Sequence, residues 1–264
     1  MTGVQTCALP ISDAAAVDAW FAAHGPYDVV VNCAAITNVD GCEADEEGAY
    51  RVNALGAENM ARAAEVCGGK VVHISTDYVF PGTDPEPRVE TDEVGPISAY
   101  GRTKLAGEQL VAAACARSFI VRTAWLYGYV GKNFVKTMLR LARENGKISV
   151  VADQLGNPTS ANDLAYEILR LAATDDFGVY HCTNDGTCSW FDFAKAAVET
   201  AGVPCEFEPL TSAEYKARFP QSADRPAYSS LDNAHLRATV GDEMRPWRDA
   251  LATYMANLST LDLS

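Results

Sequence analysis

The sequence predicts an α/β protein built on a doubly wound parallel sheet, with a smaller α+β lid toward its C-terminal end. Three observations carry that expectation. Short β-branched runs recur at 28–32, 70–75 and 119–122, apolar almost throughout, as strands buried on both faces require. Stretches of helical character separate them at 14–24, 46–66 and 98–117, the rhythm of strand–helix–strand crossovers. Beyond residue 152 the pieces become shorter and less regular, which marks the lid.

Taken in order, helix 14–24 leads through Gly25-Pro26 into strand 28–32. A polar loop follows, then helix 46–66, apolar at Leu55, Met60 and Ala64 and stopped by Gly68-Gly69. After strand 70–75, the proline-rich loop from Pro81 to Pro96 is too long for a mere connector and reads as functional. Ser98 is placed to cap helix 98–117. Strand 119–122, helix 133–144 and a strand at 148–151 complete the alternation. In the lid, 162–173 is helical, 179–181 is a short strand, Ser189 caps a helix to 201, and a last helix spans 247–258.

Composition narrows the function. Hydrophobic residues make up 48% and charged residues 21%, the proportions of a globular chain. A net charge of -14 argues against nucleic acid and anionic membrane surfaces as partners, because both need clustered Lys and Arg. No apolar run reaches the ~18 residues of a membrane span, and cytoplasm is the expected compartment. The eight cysteines show no C-x-x-C and no metal-type spacing. They read as reduced structural thiols, Cys33 in a buried strand and Cys67 near a helix end.

Chemistry concentrates in Tyr100-Gly101-Arg102-Thr103-Lys104. Four residues apart on a helix, Tyr100 and Lys104 share one face. An adjacent ammonium favours phenolate, so the Tyr100 pKa is expected to fall and the phenol to serve as general acid toward a carbonyl oxygen. Thr76 lies at the carboxyl end of strand 70–75, where open parallel sheets bind ligands, and its hydroxyl is placed to hold that carbonyl.

Several linked motifs resemble one family. They are Asn32-Cys33-Ala34-Ala35, Val52-Asn53, Ser75 to Phe80, Tyr100-x-x-x-Lys104 and Arg122 to Gly128. Further along come Asn133-Phe134, Val151 to Gln154 with Gly156 and Pro158-Thr159, Ser189-Trp190-x-x-Phe193-Ala194, Arg225-Pro226 and Leu231-Asp232. In order and spacing this is similar to the extended short-chain dehydrogenase/reductases and, among them, the dTDP-4-dehydrorhamnose reductase family, from Asp13 onward. The resemblance implies a Rossmann-type sheet, NADPH (or NADH) as cofactor, and a nucleotide-sugar substrate. The implied reaction reduces dTDP-4-dehydro-L-rhamnose to dTDP-L-rhamnose by hydride transfer. It implies Thr76, Tyr100 and Lys104 as the catalytic set. Ala34, Ala35, Ile36, Tyr100 and Lys104 would meet the cofactor, and Thr76, Asp77, Tyr78, Trp125 and Arg225 the substrate. Trp125 has core packing as its alternative role, and Arg225 a surface salt bridge in place of a diphosphate contact. Two neighbouring functions stay open. One is another nucleotide-sugar epimerase or dehydratase, disfavoured because Tyr78 stands where the dehydratases carry a second acid. The other is a non-catalytic regulatory subunit resembling the methionine adenosyltransferase partner. A homodimer also stays open, and a magnesium ion has no support from the sequence.

The chain contains no G-x-x-G-x-x-G turn, the element by which this family holds a pyrophosphate. The resemblance therefore implies a sheet missing its first strands, with 12–152 as the remnant of the NAD(P)-binding domain and 153–264 mainly the substrate-binding lid. Residues 1–11, MTGVQTCALPI, resemble the translation of a sequencing adapter and are expected to be foreign to the fold. The strand at 28–32 then becomes an unpaired edge. The expected outcome for this chain is negligible NADPH binding and poor solubility; micromolar affinity by calorimetry is the contrary result.

Overall fold

The computed structural model describes residues 10–258, so most of the 1–11 segment lies outside the described residues. Of that segment, Ile11 packs its side chain against Gly56, and its carbonyl accepts a hydrogen bond from Asn59 Nδ2 at 2.9 Å. Helix α1 (Ala14–His24) starts at Asp13, whose carboxylate caps the Ala16 amide. Its buried Val17 and Phe21 stand one turn apart on a single face. Strand β1 (Val29–Asn32) follows. The polar loop after it contains a short helix that sequence reading did not anticipate, α2 (Val39–Ala44), capped by Asn38.

The expected single helix at 46–66 is instead α3 (Glu46–Tyr50), a π turn over Arg51–Gly56, and α4 (Ala57–Val66). The extra residue of a π turn re-aims side chains. Here it brings Asn53, fully buried, against the Ile36 amide (2.7 Å), the Ile36 carbonyl (3.0 Å) and Thr103 Oγ1 (3.1 Å). Strand β2 (Lys70–Thr76) leads into a 3-10 turn at Asp77–Val79, then the strap of 81–96. That strap is tied down: the Arg88 amide donates to the Ser230 carbonyl, and the Glu90 carboxylate accepts from the amides of His181 and His235. Helix α5 (Ala99–Ala114) begins at its Ser98 cap and returns the chain to β3 (Ser118–Thr123).

The remaining elements follow in chain order. They are β4 (Leu126–Tyr127), α6 (Phe134–Asn145), β5 (Lys147–Val151), β6 (Leu155–Gly156), β7 (Thr159–Ser160), α7 (Ala161–Ala172) and β8 (Gly178–His181). After these come β9 (Cys188–Ser189), α8 (Trp190–Thr200), β10 (Glu206–Leu210), α9 (Ser212–Arg218), α10 (Ala234–Thr239) and α11 (Trp247–Leu258). The main sheet is parallel, in the order β1-β2-β3-β8. Two placements correct the sequence reading. The strand expected at 148–151 to complete this sheet pairs with β10 in a separate ribbon, and the strand expected in the lid at 179–181 is the sheet's outer member. The burial pattern gives the reason. Ile148 and Val150 are covered while Lys147 and Ser149 are open, so β5 has one packed face, whereas β3 is buried at every position. The lid core gathers Val135, Leu139, Ile148, Phe193, Trp247 and Leu251. Another correction concerns thiols: Cys33 lies just beyond β1 and is exposed, because the chain turns there over the Asn32 side chain, and Cys67 is only half-buried.

Helix α5 sits against the π turn with no room to spare, since a Cβ on Gly107 would stand 2.3 Å from the Asn53 carbonyl oxygen. Gly107→Ala is expected to destabilise the fold by ~1–3 kcal/mol, measured as a lower urea midpoint at unchanged slope.

Candidate active site

Strands β2 and β3 end together, Thr76 opposite Thr123. The crevice beyond such ends is where open parallel sheets accept ligands. A cavity of ≈ 490 Å³ opens there, lined among others by Cys33, Ala35, Thr76, Tyr100, Lys104 and Trp125. Three of these are the residues expected to do chemistry. Ser98 fixes the start of α5, so Tyr100 falls in its first turn and Lys104 one turn on, both facing the strand ends. Gly101 lets the helix press on the 3-10 turn: a Cβ there would stand 2.2 Å from the Tyr78 carbonyl oxygen.

The hydroxyl of Thr76 is fully engaged. It donates to Asp77 Oδ1 at 2.8 Å and accepts from the Tyr78 amide at 3.2 Å, and its proximity to Tyr100 favours the phenolate. The rings of Tyr78 and Tyr100 meet edge-on with centroids 5.7 Å apart. Lys104 Nζ donates to the Ile74 carbonyl at 2.6 Å and lies 3.4 Å from His73 Nε2. Behind it, Glu108 forms a buried, two-pronged pair with Arg122 (2.9 and 2.8 Å) and accepts from Ser75 Oγ. The Arg122 guanidinium also lies over the Phe80 ring.

Electrostatics reverse one expectation. The Tyr100 pKa is raised, not lowered: loss of hydration dominates, Asp77 adds to the rise, and the Thr76 hydrogen bond only moderates it. Lys104 is itself pulled down to about 8 by burial, with Glu108 and the Cys33 thiol pulling the other way. Tyr100 is therefore a neutral phenol with a proton to give. Asp77 is pushed up to about 6 by burial, partly offset by hydrogen bonds from Ser229 and Thr76.

The other expected site residues divide. Ala35 and Trp125 line the cavity. Ala34 and Ile36 do not, and their amides are already committed to Asn32 and Asn53. Asp77 and Tyr78 lie buried behind Thr76 rather than on the cavity wall. Trp125 holds a left-handed backbone (φ 47) and stacks on Trp190 with ring centroids 3.6 Å apart. Such strain in a non-glycine residue commonly marks a functional position. Arg225 is ion-paired to Asp40 at 3.0 Å and opens on a second cavity of ≈ 330 Å³ with Phe134, Gln154, Trp190 and Tyr215. Sequence reading assigned no role to those four. Phe134, Gln154 and Trp190 stood inside the motifs, while Tyr215 gave no signal.

The lysine, the phenol and the Ala35 wall fit the nicotinamide-ribose part of a dinucleotide: a hydride donor needs a flat, sheltered slot beside a proton donor. Among the described residues no group of three or more His, Cys, Asp or Glu is arranged to hold a metal, and no helix is long and apolar enough to cross a membrane.

Comparison with known proteins agrees with this geometry. A family model described as RmlD substrate binding domain matches residues 1–260. The dTDP-4-dehydrorhamnose reductase of Mycobacterium tuberculosis is 45% identical over 240 residues, covering 88% of this chain and 77% of that protein. The crystal structure of a dTDP-4-dehydrorhamnose reductase from Clostridium acetobutylicum superposes with a TM-score of 0.91 at 46% identity, over 95% of this chain and 88% of that one. A Bacillus anthracis enzyme of the same name, solved in complex with NADP, gives 0.90 at 42%, over 94% and 87%.

Burial of Asp77 has a consequence for stability. Its folded pKa of about 6 exceeds the ordinary 3.8, so the folded state holds the proton more tightly. Stability is therefore greatest below the ordinary value and declines as pH rises toward the folded one, by roughly 3 kcal/mol. Asp77→Asn is expected to abolish that slope and to be the more stable protein at neutral pH, as urea unfolding across this range reads directly.

Proposed function

This chain belongs to the dTDP-4-dehydrorhamnose reductase family, matched by the RmlD substrate binding domain, and on that premise we propose how its own residues carry out the reduction. The reaction reduces the keto group of dTDP-4-dehydro-L-rhamnose to give dTDP-L-rhamnose, an NADPH-dependent step of dTDP-rhamnose biosynthesis. The bound nicotinamide supplies hydride to the carbonyl carbon. The proton on the new hydroxyl comes from Tyr100.

The observation that carries this assignment is the meeting of Thr76, Tyr100 and Lys104 on one cavity at the strand ends. The Thr76 hydroxyl, held by Asp77 Oδ1, shares one cavity wall with Tyr100, whose phenol is kept protonated by burial. A carbonyl oxygen entering the cavity accepts a hydrogen bond from the phenol, and the proton follows as negative charge develops. Lys104, two hydrogen-bonding contacts deep in the wall, stands one turn from Tyr100 with donors toward a ribose. The stacked pair of Trp125 and Trp190 offers an apolar face to the deoxysugar ring. The second cavity, with Arg225 and the ring of Phe134, takes the nucleotide end of the substrate. Buried Tyr78, in the position where a dehydratase needs a second acid, favours plain reduction. The proposed setting is the cytoplasm, with buried Cys42, Cys115, Cys182 and Cys188 as thiols.

Oxidation of NADPH with dTDP-4-dehydro-L-rhamnose tests the assignment. It is followed in this chain and in the chain extended by a relative's G-x-x-G-x-x-G segment. Tyr100→Phe is expected to lower kcat by roughly 100- to 10,000-fold. An unchanged rate removes Tyr100 from the chemistry.

A further inference from the structure

We propose that His73, locked in one tautomer by Asn32, is a positioning residue that determines which proton state Lys104 favours; the role rests on the reductase reading of that lysine. Donors and acceptors decide it. Asn32 and His73 are register partners on β1 and β2, and both are buried. Asn32 Oδ1 accepts the Ala34 amide at 3.1 Å. A backbone nitrogen there can only donate, so the oxygen and nitrogen of the Asn32 amide cannot trade places. Asn32 Nδ2 therefore donates to His73 Nδ1, 3.1 Å away, and Nδ1 presents its lone pair. A neutral imidazole carries its one proton on the other nitrogen. The Nε2–H then points at Lys104 Nζ, at 3.4 Å. Burial and the charge of Lys104 both oppose a doubly protonated ring, which would also set N–H against N–H at Nδ1.

A histidine N–H aimed at an amine favours the neutral amine, which has a lone pair to offer, over the ammonium, which has none. The bond from Lys104 to the Ile74 carbonyl is available to both forms and is the stronger for the ammonium, so it pulls against His73. The other groups facing Lys104 come from each element around it. Cys33 follows β1, Tyr100 lies a turn earlier in α5, and Glu108 lies a turn later. Glu108 pulls toward the ammonium, yet Arg122 from β3 and Ser75 from β2 already share its charge. His73 is the neighbour whose proton faces the amine itself. Lys104, brought down to about 8 by burial, thus meets a neighbour that favours its neutral form, beside the phenol it serves.

Nitrogen NMR of the labelled protein, without cofactor or substrate, reads both partners. The expected spectrum shows His73 protonated at Nε2 and bare at Nδ1 across the range where the protein is folded, and a Lys104 midpoint near 8. Asn32→Leu removes the lock and adds no charge. His73 Nε2 then becomes free to accept from the ammonium, and the Lys104 midpoint rises by about one unit. An Nδ1–H tautomer in the unaltered protein overturns the proposal, as does an unmoved Lys104 midpoint in folded Asn32→Leu. Where that variant does not fold, the tautomer of the unaltered protein decides. Failure here leaves the reductase assignment intact, because that assignment is judged by the turnover of Tyr100→Phe.

Discussion

Helix α5 approaches the strand ends so closely that only hydrogen fits at two of its positions. Gly101 bears on the carbonyl of Tyr78, and Gly107 on the carbonyl of Asn53. These contacts set the height and rotation of the helix, and through them the positions of Tyr100 and Lys104. The surfaces it meets are two irregular turns, the 3-10 turn after β2 and the π turn between α3 and α4. Each turn exists to satisfy local polar groups: Thr76 caps the first, and Asn53 in the second ties down the chain beyond β1. A helix displaced by one ångström would move the phenol away from Thr76, so the geometry of the candidate site is inherited from backbone packing rather than from the side chains alone.

Between that helix and the sheet lies a buried polar layer. Glu108, Arg122, Ser75, His73 and Asn32 all find partners there. Buried ion pairs contribute little net stability once desolvation is counted, and their better-attested use is to fix geometry. Here the layer governs proton affinity at the cavity wall. Dehydration keeps Tyr100 a phenol and brings Lys104 down toward neutrality. The acid is thus readied by exclusion of water, with the neighbouring cation playing a lesser part than the spacing of Tyr100 and Lys104 suggests.

The parallel sheet was legible because β2 and β3 carry unbroken β-branched and aromatic runs, and Ser98 announced α5 by its capping chemistry. The candidate catalytic residues were legible for a related reason: Tyr100 and Lys104 encode their relation in a helical interval, and Thr76 in its place at a strand end. What stayed hidden depends on contacts remote in sequence. The π turn answers to Ile36, seventeen residues from Asn53. Strand β8 gives no sign of its partner, because parallel neighbours are joined through long excursions. The pKa of Tyr100 was misjudged because spacing reveals a neighbouring charge and not the loss of water.

The chain leaves the sheet after β3, builds β5 and α6 of the lid, and returns for β8 before completing the lid with α8, β10 and α11. Lid and sheet are accordingly sewn through one another. A cut near residue 153, where composition suggests a seam, would strip β3 of its outer neighbour and open Phe119 and Val121 to solvent. Modular exchange of lids between relatives, to redirect which sugar is accepted, must therefore carry β8 and its crossover helix along as part of the graft.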